Sequence, residues 1–363
     1  MSESSKPGLL AVALSGGVDS AMAAVYLHRA GWDIVGSSHY LFPESTCCTR
    51  ETLARARGVA EYLDIPYYQV DLKELFTEAV VGDFVDTYIE GETPNPCVRC
   101  NGRVRFTVYV DRLAGILRSE GRLAAESPLY FSTGHYVRLE LTEDGCFLRK
   151  AVDLSKDQSY MLYRIPRERL PYLRFPLGGY EKRHIRKEAR ALGLPSGSVR
   201  ESQDACFAGG DYGEFLREYS GLESPFEEGE IVDTSGKVLG KHRGYVYYTP
   251  GQRKGLGLGN GPWYVVRIEP GHNRIVVGRA DEGKSRTFHI RDCNWFIDPL
   301  PPSLDCTVQV RYNAGDRECR AYPGDGRAGF VELAEGARVT PGQSADFYSG
   351  EYLLGGGIIR GSV

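Results

Sequence analysis

The sequence of 363 residues lacks any apolar run long enough to cross a bilayer. Its polar start, Met1 to Pro7, lacks the basic and apolar regions of a secretory signal peptide. A large excess of positive charge is also missing, because the formal net charge is −4, and this gives no global support for nucleic-acid binding. With 42% hydrophobic and 25% charged residues, we expect a globular cytoplasmic protein that does not associate with a membrane.

What the sequence does contain is thiols and local clusters of positive charge. Its nine cysteines predict thiols, ligands or catalytic groups rather than a disulfide framework, since the cytosol keeps thiols reduced. Basic runs are usually solvated surfaces, but they can also mark a binding site for a polyanion. The clusters contain Arg99, Arg103 and Arg105, then Lys182, Arg183, Arg186, Lys187 and Arg190, and finally Lys241, His242, Arg243, Arg253 and Lys254.

A glycine-rich turn, Ser15 to Ser20, follows an apolar run and precedes a helical pattern. Successive N–H groups at a helix start bind phosphate, and Asp19 could hold Mg²⁺ or cap the helix. The Gly-x-x-x-x-Gly-Lys spacing that grips a transferring γ-phosphate is absent, so a kinase or motor ATPase is disfavoured. The stretch resembles the S-G-G-x-D-S loop of ATP pyrophosphatases, which split ATP between its α- and β-phosphates; the plain alternative is a capped turn.

The first half alternates strand and helix patterns, which favours an α/β fold with a parallel sheet. Thr49 should cap the second helix. A strand over 129–132 ends in Thr133, Gly134 and His135, at the sheet edge where ligands bind. The other predicted elements are strands over 9–14, 33–38 and 67–70, and a helix over 19–30.

The second half is rich in glycine and β-formers, and we predict short antiparallel strands there. They include 245–248, 264–268, 307–312 and 330–333, with a break at Pro299 to Pro302. We therefore expect three domains, with boundaries at 1–208, 209–279 and 280–363.

Two cysteines, Cys97 and Cys100, have C-x-x-C spacing beside arginines, which lower a thiol pKa, and Cys206 lies far downstream. Half of a zinc site, a thioredoxin-like pair and simple packing are the alternatives, although no second C-x-x-C completes four zinc ligands. We expect the remaining cysteines to be packed or buried thiols, namely Cys47, Cys48, Cys146, Cys293, Cys306 and Cys319. For Cys47 and Cys48, on the loop before a helix, the alternative is that they line the same cleft.

The chain resembles the tRNA-specific 2-thiouridylases, the MnmA family, almost from end to end. The resemblance implies an N-terminal domain like the adenine-nucleotide α-hydrolases, a small central β-rich module and a C-terminal β-barrel. It rests on motifs in the same order, namely Ser15 to Ser20, Thr93 to Asn101, Thr133 to Tyr136, Lys156 to Tyr160, Cys206-Phe207, Gly251 to Gly257, Pro262 to Val266 and Thr340 to Ala345.

The resemblance further implies that ATP with Mg²⁺ adenylates the 2-oxygen of the wobble uridine in tRNA for Lys, Glu or Gln, and that sulfur then replaces this oxygen. Cys206 would carry a persulfide, and Cys100 would release the sulfur by forming a transient disulfide with Cys206. The partners would be tRNA and a sulfur donor, which is a cysteine desulfurase, a sulfur relay protein or free sulfide.

The site residues that the resemblance implies fall into three groups. The catalytic group is Cys100, Cys206 and Asp19. The ATP-binding group is Ala13, Leu14, Ser15, Gly16, Gly17, Val18, Asp19, Ser20, His39 and Gly134. The tRNA-binding group is Asn95, Pro96, Cys97, His135, Lys156, Asp157, Gln158, Arg311, Tyr312 and Gln343, of which the first three would border the target base.

Two positions depart from the usual family pattern. His39 is often Met in relatives, so its contact with adenine would be stacking or a hydrogen bond. Cys97 is often Asp, and its thiol makes a trio with Cys100 and Cys206 that could instead hold a four-iron cluster with one open iron. Sulfur would then arrive on iron rather than on a cysteine.

Two rival functions share parts of this pattern. A small-molecule ligase or amidotransferase of the same superfamily would use the ATP loop but would not need Cys100 and Cys206. A non-catalytic RNA-binding protein would use the basic clusters but not the intact loop.

Overall fold

The computed structural model describes residues 8–42, 48–143, 145–194, 205–208, 212–311 and 315–362. The chain forms two compact units. The N-terminal unit takes in Met1–Ala79, Cys97–Gly209 and Glu351–Leu353. The C-terminal unit takes in Val80–Pro96, Gly210–Gly350 and Leu354–Val363.

The N-terminal unit is built on a five-stranded sheet in the order β3-β2-β1-β4-β7. All neighbouring strands in it are parallel, as the alternating pattern predicts. Strands β5 and β6 lie outside this sheet and form an antiparallel hairpin, in which Arg149 of β6 also pairs with Tyr352. The bounds are β1 Leu9–Ala13, β2 Asp33–Tyr40, β3 Tyr67–Asp71, β4 Tyr130–Ser132, β5 Arg138–Thr142, β6 Gly145–Arg149 and β7 Leu173–Arg174.

Helices connect these strands, and other helices belong to the C-terminal unit. The predicted cap of the second helix is confirmed, because the Thr52 amide donates a hydrogen bond of 3.2 Å to the Thr49 hydroxyl. No helix among the described residues is both long and apolar enough to span a membrane. The bounds are α1 Val18–Arg29, α2 Arg50–Tyr62, α3 Lys73–Phe76, α4 Asp83–Ile89, α5 Pro96–Cys100, α6 Tyr109–Ser119, α7 Lys182–Ala191 and α8 Tyr212–Ser220.

Shorter helical segments occur between these elements. Two π-helical stretches, Thr77–Gly82 and Asn101–Val108, join α3 to α4 and α5 to α6. Single 3₁₀ segments cover Leu154–Lys156, Ser159–Met161, Arg167–Tyr172, Ser224–Phe226, Tyr245–Tyr247 and Pro270–His272.

Strand β1 lies at the centre of the core of the N-terminal unit. Its five residues are all buried, which explains why the strand is a continuous apolar run rather than an alternating one. Leu10 and Val12 pack with Met22 of α1, and all three side chains are completely buried. This packing fixes the start of α1 relative to the carboxyl end of β1.

The C-terminal unit contains a four-stranded sheet in the order β10-β11-β8-β9. The prediction of antiparallel strands holds for two of its pairings, but β11 and β8 are parallel. The bounds are β8 Gly229–Asp233, β9 Val238–His242, β10 Tyr264–Glu269 and β11 Arg274–Gly278.

The predicted strand over 245–248 is wrong, because Tyr245–Tyr247 forms a 3₁₀ turn. Successive residues of a strand with one wet face alternate in burial, whereas Tyr245 and Val246 are both buried. The Tyr245 hydroxyl donates a hydrogen bond of 3.0 Å to the Ile89 carbonyl. Tertiary contacts therefore override the β propensity of this aromatic run.

The C-terminal unit also contains the predicted β-barrel, which has six strands in the order β12-β15-β14-β13-β16-β17 and closes by pairing β12 with β17. Phe288, Phe347 and Ile359 fill its interior and are completely buried. The bounds are β12 Ser285–Trp295, β13 Leu304–Gln309, β14 Arg317–Tyr322, β15 Gly329–Ala337, β16 Ser344–Ser349 and β17 Tyr352–Ser362.

Candidate active site

The loop between β1 and α1, which is the predicted anion cradle, is organised by hydrogen bonds of the Ser20 side chain. The Ser20 hydroxyl accepts a hydrogen bond of 3.1 Å from the Ser15 amide and donates one of 3.0 Å to the Gly17 carbonyl. Gly16 has φ +71°, and a Cβ there would lie 2.4 Å from the Thr52 carbonyl oxygen, so only glycine fits. No side chain caps α1 at Gly17. The first amides of α1 therefore remain available for an anion.

The loop after β4 packs directly against this cradle. A Cβ on Gly134 would lie 2.7 Å from the Ser20 amide nitrogen and 2.8 Å from the Asp19 carbonyl carbon. Both are backbone atoms that cannot move aside as a side-chain tip can. The glycine therefore allows the loop after β4 to pack against the start of α1. This contact lies at the carboxyl ends of two neighbouring parallel strands, β1 and β4, where the sequence predicts the ligand site of an open α/β sheet.

A cavity of about 190 Å³ opens at this edge of the sheet. It brings together residues from the cradle, from the end of β2, from the π-helical stretch before α6 and from the loop after β4. Among the described residues that line it, Asp19 supplies the carboxylate and Arg105 the guanidinium. The lining residues are Ala13, Leu14, Ser15, Asp19, Ser20, Ser38, His39, Arg105, Thr133, Gly134, His135 and Gln158.

The Asp19 carboxylate is held from two sides. The Lys182 ammonium lies 2.5 Å from Oδ2, and the Tyr136 hydroxyl donates a hydrogen bond of 2.9 Å to Oδ1. The Lys182 side chain is 6% exposed and that of Asp19 27%, so the pair borders the cavity rather than the open surface. Neither Lys182 nor Tyr136 is among the site residues predicted from the sequence. Lys182 lies 163 positions from Asp19, in a basic run that is typical of a solvated helix face. No local sequence pattern therefore predicts that the two residues are in contact.

Two histidines in the cavity wall are neutral at physiological pH. Burial, reinforced by the Arg105 guanidinium, lowers the pKa of His39 and of His135 from 6.5 to about 3. The His39 ring lies edge-on to Tyr109 with centroids 5.1 Å apart, and His135 Nδ1 is 2.6 Å from the Thr133 hydroxyl. A neutral imidazole can stack on a base or hydrogen-bond to it without adding charge. The structure thus brings the predicted ATP residue His39 and the predicted tRNA residue His135 to one cavity.

Asp157 and Gln158, both predicted to bind tRNA, also hold the polypeptide beside the cavity. The Gln158 side-chain oxygen accepts a hydrogen bond of 2.9 Å from the Tyr136 amide. Asp157 accepts hydrogen bonds of 2.8 Å from the Ala151 amide and 2.6 Å from the Ser159 hydroxyl. Lys156 ends the short 3₁₀ turn before them. These contacts fix the loop after β4, and contact with tRNA stays a prediction.

The three cysteines of the predicted sulfur chemistry all lie in the N-terminal unit. Cys97 is exposed and Cys100 buried within α5, and Cys206 is partly exposed. Phe207 anchors the Cys206 segment by packing edge-on against Phe76, with centroids 5.5 Å apart. No group of three or more His, Cys, Asp or Glu side chains suited to a metal occurs in the described part of the chain, which includes these cysteines.

In the C-terminal unit, the Gln343 side chain hydrogen-bonds to the segment that leads to Asn95 and Pro96. Its side-chain amide donates hydrogen bonds of 3.0 Å to the Thr93 carbonyl and 3.1 Å to the Pro94 carbonyl. The Thr93 amide in turn donates one of 2.8 Å to the Pro341 carbonyl. The predicted tRNA residue Gln343 therefore positions the loop whose end is predicted to border the target base.

The remaining predicted residues are distributed as follows. Arg311 is exposed, and its guanidinium lies beside Gly251, at the start of the loop that carries the exposed Arg253 and Lys254. Cys48 is buried and donates a hydrogen bond to the His39 carbonyl. Tyr312 and Cys47 lie outside the described residues.

The chain is similar to known proteins along most of its length. Family models match three consecutive segments: a tRNA methyl transferase HUP domain over 9–210, a tRNA methyl transferase PRC-barrel domain over 213–279 and an aminomethyltransferase beta-barrel domain over 285–359. Among solved structures, a 4-thiouridine synthetase–RNA complex with bound ATP has 18% identity, covers 55% of this chain and 44% of that chain, and has a TM-score of 0.35, too weak a likeness to support an inference.

Curated relatives match over nearly their full length. The tRNA-specific 2-thiouridylase MnmA of Acidithiobacillus ferrooxidans is 42% identical over 97% of this chain and 98% of the relative. That of Chloroflexus aurantiacus is 44% identical over 96% of this chain and 97% of the relative. These matches confirm the resemblance seen in the motifs, and the chain belongs to the tRNA-specific 2-thiouridylase MnmA family.

Proposed function

We propose that this protein is an ATP-dependent sulfurtransferase that converts the wobble uridine of tRNA for Lys, Glu or Gln to 2-thiouridine. The observation that carries the proposal is the cavity at the edge of the parallel sheet, where an uncapped helix start, one carboxylate and one guanidinium meet in a member of this family. Each of these groups has a part in binding and splitting ATP.

The phosphates of ATP would lie against the first amides of α1, because these N–H groups and the helix dipole favour an anion. Arg105 borders the same cavity, and its planar guanidinium can pair with two phosphate oxygens. His39 would contact the adenine as a neutral ring. Gly134 would let the nucleotide approach the backbone of the cradle.

Magnesium fits this site with one protein ligand. Mg²⁺ is usually held by one or two carboxylates together with substrate phosphates, and Asp19 is the carboxylate among the described lining residues. When bound, the ion would neutralise charge on the departing pyrophosphate. Lys182 and Tyr136 would keep the Asp19 carboxylate pointed at the cavity, since they hold one oxygen each.

ATP is required because the 2-oxygen of uridine is a poor leaving group. Attack of this oxygen on the α-phosphorus forms an oxygen–phosphorus bond and releases pyrophosphate. The oxygen then departs as part of AMP when sulfur attacks the ring carbon. The cavity accordingly activates the base, and the cysteines supply the sulfur.

We propose that the sulfur arrives as a persulfide on Cys206. The Cys100 thiolate attacks Sγ of Cys206, forms the Cys100–Cys206 disulfide and releases the terminal sulfur as hydrosulfide, which attacks the ring carbon and displaces AMP. A thiol reductant then restores both cysteines. The alternative four-iron cluster would need Cys97, Cys100 and Cys206 to come together, and among the described residues they do not form a metal-binding group.

The surface that receives tRNA would include the exposed Arg253, Lys254 and Arg311 of the C-terminal unit. Arginine and lysine contacts to phosphate make binding depend on salt. Local clusters of this kind allow an acidic chain of net charge −4 to bind a polyanion. The flipped anticodon base would be recognised by single-strand contacts and stacking.

The decisive assay uses unmodified tRNA for Lys, Glu or Gln with the full-length protein, Mg-ATP and sulfide under anaerobic conditions. We expect 2-thiouridine and AMP in equal amounts. AMP formed without tRNA would favour a small-molecule ligase instead. tRNA binding with neither product would favour a non-catalytic RNA-binding protein.

The sulfur route is tested separately with Cys206→Ser. We expect this variant to lose thiolation when a cysteine desulfurase supplies the sulfur but to keep it with free sulfide, since hydrosulfide bypasses the persulfide. Cys146→Ser, at a partly buried cysteine of β6, is the matched control and should be active with both donors. Full activity of Cys206→Ser with the desulfurase would contradict the persulfide route.

A further inference from the structure

Two cysteines outside the proposed site face each other across two strands of the C-terminal barrel. Cys306 of β13 is the direct antiparallel partner of Cys319 of β14. Their sulfur atoms lie 3.6 Å apart. Both are predicted from the sequence to be packing residues, and the proposed sulfur transfer uses neither.

The backbone geometry at this pair suits a disulfide. Directly opposed residues of antiparallel strands have Cα atoms about 4.5 to 5.5 Å apart, and disulfides span about 4.4 to 6.8 Å between Cα atoms. The sulfurs must approach to about 2.05 Å, which rotation about the Cα–Cβ bonds can supply without a change of register.

Neighbouring contacts hold the two strands in this register. The next pair along the strands, Asp305 and Arg320, is joined by two hydrogen bonds of 2.7 and 3.1 Å. Val308 and Ala321, on the inner face with the cysteines, are completely buried in the barrel core. The two thiols are therefore kept opposite each other whenever the barrel is folded.

The two thiols differ in accessibility and in acidity. Cys306 is partly exposed, whereas Cys319 is buried with 7% of its surface exposed. The contact with the Cys319 thiol lowers the pKa of Cys306. The same contact raises the pKa of Cys319 above its ordinary value. Cys306 is thus the thiol that an external reagent reaches first, and Cys319 is the thiol that follows.

We propose that Cys306 and Cys319 are a redox-active dithiol that low-molecular-weight disulfides convert into a reversible cross-strand disulfide. The Cys306 thiolate attacks one sulfur of the reagent, forms a mixed disulfide and releases one thiolate. The Cys319 thiol then loses its proton and attacks Cys306 Sγ, which releases the second thiolate. Two protein thiols and one reagent disulfide thus become one protein disulfide and two reagent thiols.

The test maps the thiols of the full-length protein after treatment with oxidised glutathione. Free thiols are blocked with N-ethylmaleimide during denaturation, the chain is digested without reduction, and the peptides are analysed by mass spectrometry. We expect a cross-linked peptide that joins Cys306 to Cys319 and is lighter by two hydrogens than the sum of its reduced parts. A dithiol reductant should remove the cross-link, and Cys146→Ser should still show it.

Single variants separate the two chemical roles. Cys319→Ser should accumulate the Cys306 mixed disulfide with glutathione, because no thiol remains to displace it. Cys306→Ser should leave Cys319 unmodified, because the reagent does not reach the buried thiol. Wild-type protein in which both cysteines are alkylated after oxidation, or in which Cys306 stays glutathionylated beside a free Cys319, would overturn the proposal. The wild-type map decides the question even if a variant folds poorly.

Discussion

The Lys182 ammonium at the start of α7 lies 2.5 Å from the Asp19 carboxylate at the start of α1. The Tyr136 hydroxyl holds the other Asp19 oxygen at 2.9 Å. These two contacts join three separate segments of the N-terminal unit at one carboxylate. They orient the acidic residue of the cradle toward the cavity, and they make its position depend on residues far away in the sequence.

Replacing Lys182 by Met should weaken both the fold and the ATP site. Lys182 is almost fully buried, and loss of its charge leaves Asp19 without its cation, which should cost about 1 to 3 kcal/mol in the free energy of unfolding. ATP-dependent release of AMP should fall as well. Urea unfolding and an AMP assay measure the two effects. Lys187→Met, at an exposed position of the same helix, should change the free energy by less than about 0.5 kcal/mol; equal effects at the two lysines would contradict this reading.

A methyl group at position 134 should displace the nucleotide cradle. In Gly134→Ala the new Cβ would meet the Ser20 amide nitrogen at 2.7 Å, and overpacking of this kind costs about 1 to 3 kcal/mol. If most of this strain is relieved by moving the cradle, the Kd for ATP should rise about tenfold, as calorimetry can measure. Gly115→Ala is the matched control, because a Cβ there meets nothing within 4 Å on the exposed side of α6. Unchanged ATP binding by Gly134→Ala would show that the loop yields elsewhere.

Stability should fall below neutral pH because of His39 and His135. Burial holds both pKa values near 3 in the folded protein, whereas the unfolded chain takes up protons near pH 6.5. Between pH 3 and pH 6.5 the unfolded chain therefore binds more protons than the folded protein. The free energy of unfolding decreases as the pH falls below 6.5, because protonation of these histidines favours the unfolded chain. At pH 5 each histidine should cost roughly 2 kcal/mol relative to pH 7. Urea unfolding at the two pH values should show a smaller loss in His135→Gln than in the wild type.

A control separates this effect from general acid denaturation. Gly115→Ala adds a methyl group in open space and changes no titratable group, so it should keep the wild-type pH dependence. The same loss between pH 7 and 5 in His135→Gln and in the wild type would mean that His135 titrates normally in the folded protein.

Removing the Gln343 amide should impair tRNA modification without disturbing the nucleotide site. Gln343→Ala loses the hydrogen bonds to the Thr93 and Pro94 carbonyls, each worth about 1 kcal/mol, and frees the segment that leads to Asn95. We expect kcat/KM for tRNA to fall about tenfold or more while the Kd for ATP stays unchanged. Glu318→Gln, at an exposed position of β14, should affect neither quantity. An equal loss of ATP affinity in Gln343→Ala would argue against a local positioning role.

Much of the fold follows from local patterns. The continuous apolar run of β1 and the glycines of the cradle are visible in the sequence because burial on two faces and a positive φ each demand particular residues. The strand expected over 245–248 was wrong for the opposite reason. There the tyrosine hydroxyl and the burial of two successive side chains, rather than propensity, select a 3₁₀ turn.

The candidate site is predictable to a smaller extent. The motifs point to the cradle, to Gly134 and to the cysteines, because each is short and chemically distinctive. Short motifs do not predict the site roles of Lys182, Tyr136 and Arg105, because these residues come from separate elements and their residue types are common on ordinary surfaces. They do not predict the contact of Cys306 with Cys319 either, because it depends on the register of two strands.

The sequence by itself determined the class of this protein, its phosphate cradle and its chemical groups, because these depend on residue type and on spacing along the chain. The tertiary structure alone decided how these groups are used. It pairs Asp19 with Lys182 and keeps two buried histidines neutral beside Arg105. It also lets the Gln343 side chain hydrogen-bond to the segment before Asn95 and places two barrel thiols 3.6 Å apart. Ion pairing, desolvation and strand register act between residues that are distant in sequence, so only the folded chain reveals them.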